Sequence, residues 1–124
     1  MESRNVLIVE DDASLCKLIA HTFERSGMTV TCVDSSVDAI LLIQRGKFAL
    51  IVLDVMLDGT SGLYVIEALR DLPAMERPKV IIITGARGNI LSNIDRTIVT
   101  AVIFKPLDVP SLAAFASAVS GEHN

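Results

Sequence analysis

Leu50-Ile51-Val52-Leu53-Asp54 decides the reading of this chain: four aliphatic residues in an unbroken run, then an acid. A strand with one wet face alternates polar and apolar residues, whereas a strand covered on both faces of a parallel sheet is apolar throughout. Three other stretches share the form. Val6-Leu7-Ile8-Val9 leads into Glu10-Asp11, Val80-Ile81-Ile82-Ile83 into Thr84, and Ala101-Val102-Ile103-Phe104 into Lys105-Pro106. In an open α/β sheet, ligands bind outside the carboxyl ends of the strands. Three acids, a hydroxyl and an ammonium are thus delivered to one edge of one sheet. Acids hold a hard cation, one carboxylate accepts a phosphoryl group, and donors receive its oxygens.

The bulk properties fit a single domain over 1–124, long enough to bury a core. An apolar fraction of 51% is high, as sheet strands buried on both faces require. No apolar run approaches the ~20 residues of a membrane span. The start, Met-Glu-Ser-Arg-Asn, leads straight into a strand, so no signal peptide is expected and the expected location is cytoplasmic. Net charge is −4 and the eleven basic residues read as scattered, which argues against direct nucleic-acid binding. Cys16 and Cys32 lack metal-type spacing and read as reduced core or near-core thiols.

Strand and helix alternate five times. The first strand covers about 5–10 and the first helix about 13–26, with Leu15, Leu18, Ile19, Thr22 and Phe23 on one face and Gly27 as its stop. Met28-Thr-Val-Thr-Cys-Val33 alternates, which marks an edge strand. A second helix spans about 35–45, opening at Ser35 or Ser36 and stopping at Gly46. The third strand ends at Asp54, and a third helix covers about 62–72 until Pro73. The fourth strand follows Pro78, and a fourth helix over about 88–98 sets Ile90, Leu91, Ile94 and Ile98 at helical spacing. The fifth strand ends at Lys105, and Asp108 caps a last helix reaching about 120. Such a chain fits a doubly wound five-stranded parallel sheet of order 2-1-3-4-5. Strand two is then an edge, and the ends of strands one and three meet at the topological switch point.

Over essentially its whole length the chain resembles a two-component response-regulator receiver domain of the CheY-like kind, a flavodoxin-like three-layer sandwich. The matching segments are Val6–Asp11, Leu53-Asp-Val-Met-Leu57 with Gly59 and Gly62-Leu63, Ile82-Ile-Thr84 and Phe104-Lys-Pro-Leu107. Their separations match as well: 43 residues from Asp11 to Asp54, 30 to Thr84 and 21 to Lys105. Each motif alone is weak. In order, and at strand ends, they are specific.

The resemblance implies a phosphoacceptor, not an enzyme, that assists its own phosphorylation and dephosphorylation. Asp54 would take the phosphoryl group from a histidine kinase or histidine phosphotransfer protein, with Thr84 and Lys105 meeting its oxygens. Asp11, Asp54 and the Met56 carbonyl would ligate Mg²⁺, with Glu10 acting largely through water. Residue chemistry supports this independently, because crowded carboxylates repel unless a cation is present, and an oxygen-only ligand set favours Mg²⁺ over soft metals. A cis Lys105–Pro106 bond is also implied. The output would be a downstream protein target or effector domain, or a homodimer through the fourth helix, fifth strand and last helix, whose Leu112–Val119 segment carries no charge. No membrane partner is expected.

Duller roles compete. Asp12 reads as a helix N-cap, and His21 and His123 as surface residues. Two positions depart from the family pattern: Val102 stands where an aromatic is usual, and Asp58 where a proline is usual, which would loosen the loop and add negative charge. Asp58-Gly59-Thr60 evokes a haloacid-dehalogenase-type phosphohydrolase, but the position of its nucleophilic Asp is Met56. A flavodoxin-type flavin binder would need a phosphate loop where Glu10-Asp11-Asp12 would repel one. A pseudo-receiver that only binds partners is the remaining alternative.

Overall fold

The computed structural model describes residues 4–57, 60–85, 92 and 94–121. Five parallel strands form the central sheet: β1 (Arg4–Val9), β2 (Met28–Val33), β3 (Leu50–Asp54), β6 (Lys79–Thr84) and β7 (Ala101–Phe104). Their order is β2-β1-β3-β6-β7, which is the expected 2-1-3-4-5 arrangement. Between β3 and β6 lies a small antiparallel ribbon, β4 (Met56–Leu57) with β5 (Thr60–Ser61). The helices that lie wholly among the described residues are α1 (Ala13–Arg25), α2 (Ser36–Arg45), α3 (Leu63–Arg70) and α4 (Val109–Ser120), with a 3₁₀ turn over Ala74–Glu76.

The unbroken apolar runs have the predicted cause. Successive strand residues point to opposite faces, and both faces are covered. Leu7, Val9, Ile51, Leu53, Val80 and Ile82 pack with residues of α2 and α3. Val6, Ile8, Leu50, Val52, Ile81 and Ile83 pack with residues of α1 and α4. Each such side chain contributes about 1.5–3 kcal/mol when fully buried. β2 lies at the edge, and its residues past Met28 are half-buried or exposed.

Local signals fix the helix ends. Asp12 caps α1 by accepting the Leu15 N–H, Ser35 caps α2 through Asp38 N, and Asp108 caps α4 through Ser111 N. Gly27 ends the α1 connection at φ +92°, a conformation that L side chains rarely adopt.

Some expectations need correction. The buried stripe of α1 is Cys16, Ile19 and Phe23, spaced three and four apart, and Leu18 is 53% exposed. Ile19 and Phe23 of the expected face are buried and Leu15 packs against them, while Cys16, expected as a core or near-core thiol, takes the place in the stripe expected of Leu18. Cys16 is buried and Cys32 exposed, both as free thiols, and burial pushes the Cys16 thiol pKa up. For the fourth expected helix, Ile90 and Leu91 lie outside the described residues and Ser92 is helical. Ile94 and Ile98 are core residues, but they sit in a loop and turn, where Asp95 accepts Thr97 N–H through its side chain and Val99 N–H through its carbonyl. An aspartate that bonds the nearby backbone in this way competes with helix.

The last helix is less open than its composition implies. Leu112, Ala113, Ala116 and Val119 are buried, leaving Ala114, Phe115 and Ala118 outside. Ala116, one of the residues expected to lie on a free docking face, is 0% exposed, and Phe115 is 38% exposed. The two should respond very differently to a charge. Ala116→Asp places a carboxylate in the core and should destabilise by several kcal/mol, whereas Phe115→Asp should lose about 1–2 kcal/mol of partial burial. Urea unfolding of the two variants checks this, and equal midpoints would contradict the packing.

Candidate functional site

Strand register gathers the site. Val9 pairs with Leu53, so Glu10 and Asp54, the next residues, end neighbouring strands. Asp54 pairs with Ile83, next to Thr84, and Thr84 pairs with Phe104, next to Lys105. Four chemically active positions from four strands therefore form one row at the carboxyl edge. The Lys105 N–H donates to the Thr84 carbonyl at 2.9 Å, extending the last pairing into the site.

Glu10 and Asp54 are buried, Asp11 is exposed, and Thr84 is fully buried. Both Asp54 oxygens are engaged. Oδ1 accepts the Met56 N–H at 2.8 Å and Oδ2 accepts from Lys105 Nζ at 2.8 Å. Lys105 Nζ also lies 2.9 Å from Glu10 Oε1, and Glu10 Oε2 accepts the Asp12 N–H at 3.0 Å. The ammonium thus bridges the two buried carboxylates, Asp54 and Glu10. Lys105–Pro106 is cis, as the resemblance implied.

Burial raises the Glu10 pKa above the usual carboxylate range; the Lys105 ammonium and the Asp12 N–H oppose that shift, and the Asp54 charge adds to it. Burial also acts against the Lys105 charge, but hydrogen bonds to Asp54 and Glu10 outweigh it and hold the lysine pKa above its ordinary value. The lysine is thus fixed as a cation.

One oxygen from each of Glu10, Asp11 and Asp54 lies within 4.8 Å of the others. Counted at their formal charges, the three carboxylates and one ammonium sum to −2, which a divalent cation would offset. The all-oxygen donor set fits a hard cation. Asp12 stays out of this cluster, since its carboxylate caps α1. His21 is exposed on α1, away from the chemistry.

Two features have roles that the sequence reading did not give, although Gly62 stood among its motif residues. Gly62 abuts the strand that carries Asp54: a Cβ there would collide with the Asp54 carbonyl oxygen and stand 2.8 Å from Val55 Cα. Nothing in a lone glycine announces this. The β4–β5 ribbon, by contrast, had a signal, because Asp-Gly between two short pairing segments is a strong two-residue hairpin sequence. Asp58 and Gly59 lie outside the described residues, but Met56 pairs with Ser61 and Leu57 with Thr60, so the segment expected to be loosened is paired on both sides. Val102 is half-buried and packs against the cluster containing Ile94 and Ile98.

Residues 6–116 match the family model of the response regulator receiver domain. The chain is 31% identical over 116 residues to the uncharacterized transcriptional regulatory protein YkoG of Bacillus subtilis (strain 168), covering 92% of this chain and 50% of that one. It is 31% identical over 112 residues to the phosphate regulon transcriptional regulatory protein PhoB of Rhizobium meliloti (strain 1021), covering 88% and 48%. The chain spans about half the length of these curated relatives. Among solved structures, the signal receiver domain of a putative Luxo repressor protein from Vibrio parahaemolyticus superposes with a TM-score of 0.85 at 27% identity, covering 96% of this chain and 91% of that one. With its strand order, its acid cluster and these likenesses in agreement, the chain belongs to the response regulator receiver domain family.

Proposed function

We propose that Asp54 accepts a phosphoryl group from a phosphohistidine on a histidine kinase or phosphotransfer protein, in a Mg²⁺-dependent reaction. The observation that carries this reading is the paired anchoring of the Asp54 carboxylate, by Met56 N–H on one oxygen and Lys105 on the other, beside Glu10 and Asp11. An Asp54 oxygen forms the new bond to phosphorus as the donor's P–N bond breaks, and the imidazole leaves with the electron pair. Lys105 meets the phosphoryl oxygens as a point charge, and Thr84 supplies a hydroxyl to them. Asp11, Asp54 and the Met56 carbonyl would hold Mg²⁺, with Glu10 behind them, and the ion would supply charge compensation for the carboxylates and the phosphoryl group. The exposed Phe104, Phe115 and Ala118 offer apolar surface to a downstream protein, an effector domain or a second copy.

Labelling with acetyl phosphate, with and without Mg²⁺, tests the reading. Incorporation that persists in EDTA would contradict it. Asp11→Ala should leave the fold intact, because Asp11 is exposed, yet weaken Mg²⁺ binding by about tenfold or more, as read by titration of the free protein. Lys105→Arg should retain charge but not function. A longer planar guanidinium cannot reach Glu10 and Asp54 as one compact point charge does. The phosphorylated variant should then fail to show the response of the native chain, and a native response would count against the geometry.

A further inference from the structure

The amino edge of the sheet, opposite the acid cluster, holds a cavity of about 680 Å³. Arg4, Arg45, Lys47, Arg77 and Lys79 line it, and Glu76 is its one acid. Five of the chain's eleven cations thus surround one cleft in a protein of net charge −4, which corrects the expectation that the basic residues are scattered.

The five divide into two sets. Arg4 and Arg77 are tied down: Arg4 donates to Ser117 Oγ at 2.7 Å and to the Ser26 carbonyl, and Arg77 donates to the carbonyls of Leu69, Leu72 and Arg70. They contribute fixed positive walls. Arg45, Lys47 and Lys79 are exposed and make no ion pair with a carboxylate among the described residues. Phe48, Leu72 and Met75 supply apolar lining to the cleft, and Met75 is 98% exposed. A concave volume in the small-ligand range, lined by both apolar side chains and several cations, suits a phosphorylated organic molecule.

We infer that this cleft binds a small organic polyphosphate, its anionic groups set against Arg45, Lys47 and Lys79 and its apolar body against Phe48 and Met75. The site is separate from the phosphoacceptor. β6 runs from Lys79 in the cleft to Thr84 at the acid site, a span of about 17 Å at about 3.3 Å per residue. A ligand here would touch the amino ends of the strands whose carboxyl ends do the chemistry.

The test uses the whole chain in EDTA, with ATP as probe, inorganic pyrophosphate as charge without a body, and a short DNA duplex as a macromolecular polyanion. Assigned amide resonances report the location. ATP should shift Lys47, Phe48 and Lys79 saturably, with Kd below about 1 mM, and bind more tightly than pyrophosphate. The double variant Lys47→Glu/Lys79→Glu, both exposed positions, should weaken ATP by about tenfold or more while acetyl phosphate still labels Asp54 at the native level. No saturable shift with ATP overturns the inference, as does unchanged affinity in the double variant or pyrophosphate binding as tightly as ATP. Tighter binding of the duplex to the same residues would make the cleft part of a nucleic-acid surface instead. Loss of labelling in Asp54→Asn tests the phosphoacceptor separately and leaves this result untouched.

Discussion

Asp54→Asn should abolish phosphoryl incorporation from acetyl phosphate, from one acid-stable, base-labile group per chain to none. The amide keeps the shape and the Met56 N–H contact, so the loss is chemical, not structural. It lacks the anionic oxygen that attacks phosphorus. The fold should survive, since Lys105 retains Glu10 as a partner at 2.9 Å. Intact-mass measurement of both proteins after Mg²⁺-dependent labelling decides the matter, and equal incorporation would move the acceptor elsewhere. Stability should change little by comparison. Replacing one member of a buried ionic cluster removes both an attraction and a desolvation penalty.

Gly62→Ala should do the reverse, damaging the fold and the site together. Its new methyl meets backbone atoms of Asp54 and Val55, and no side-chain rotamer relieves that. Overpacking of this kind costs about 1–3 kcal/mol or more, which for a domain of this size lowers Tm by about 5–15 °C. Because the colliding atoms belong to Asp54, the proposed phosphoacceptor, and its neighbour, the labelling rate should also fall by about tenfold or more. Gly85→Ala is the control. A Cβ at Gly85 meets nothing within 4 Å among the described residues, so both readouts should stay near native. Similar losses in the two variants would show that glycine flexibility, not close approach, is what matters at 62.

The apolar runs made the sheet legible. Burial on both faces leaves one composition available to a central strand, and the alternation in Met28–Val33 marked the edge. The row Glu10, Asp54, Thr84, Lys105 was legible for the same reason, since each follows a run whose end the sheet aligns. What was not legible depends on neighbours distant in sequence. Gly62 matters through a backbone eight residues earlier, and the cleft gathers Arg4 from the start of β1, Lys47 from the connection before β3 and Lys79 from the start of β6. Ala116 and Ala114 are identical in any composition; only the docking of α4 onto α1 and the sheet separates the buried one from the exposed one. Leu18 shows the limit of periodicity, because a stripe shifted by one residue still looks amphipathic.

The placement of α4 has a consequence for the order in which the molecule can be made. One face of the sheet, with Val6, Ile8, Val52, Ile81 and Ile83, is sealed jointly by α1 and α4. On the ribosome α1 is available almost at once, but α4 belongs to the final stretch of this sequence. Until Val119 has left the exit tunnel, half of that sheet face is bare aliphatic surface. Nascent chains in that condition are the kind that holding chaperones bind and that aggregate when synthesis stalls. Arg4 then acts as a latch between early and late parts of this domain, since its partner Ser26 follows α1 and its partner Ser117 lies in α4. Ribosome-stalled intermediates that stop before Leu112 should therefore be open to protease, and those that expose α4 completely should resist it.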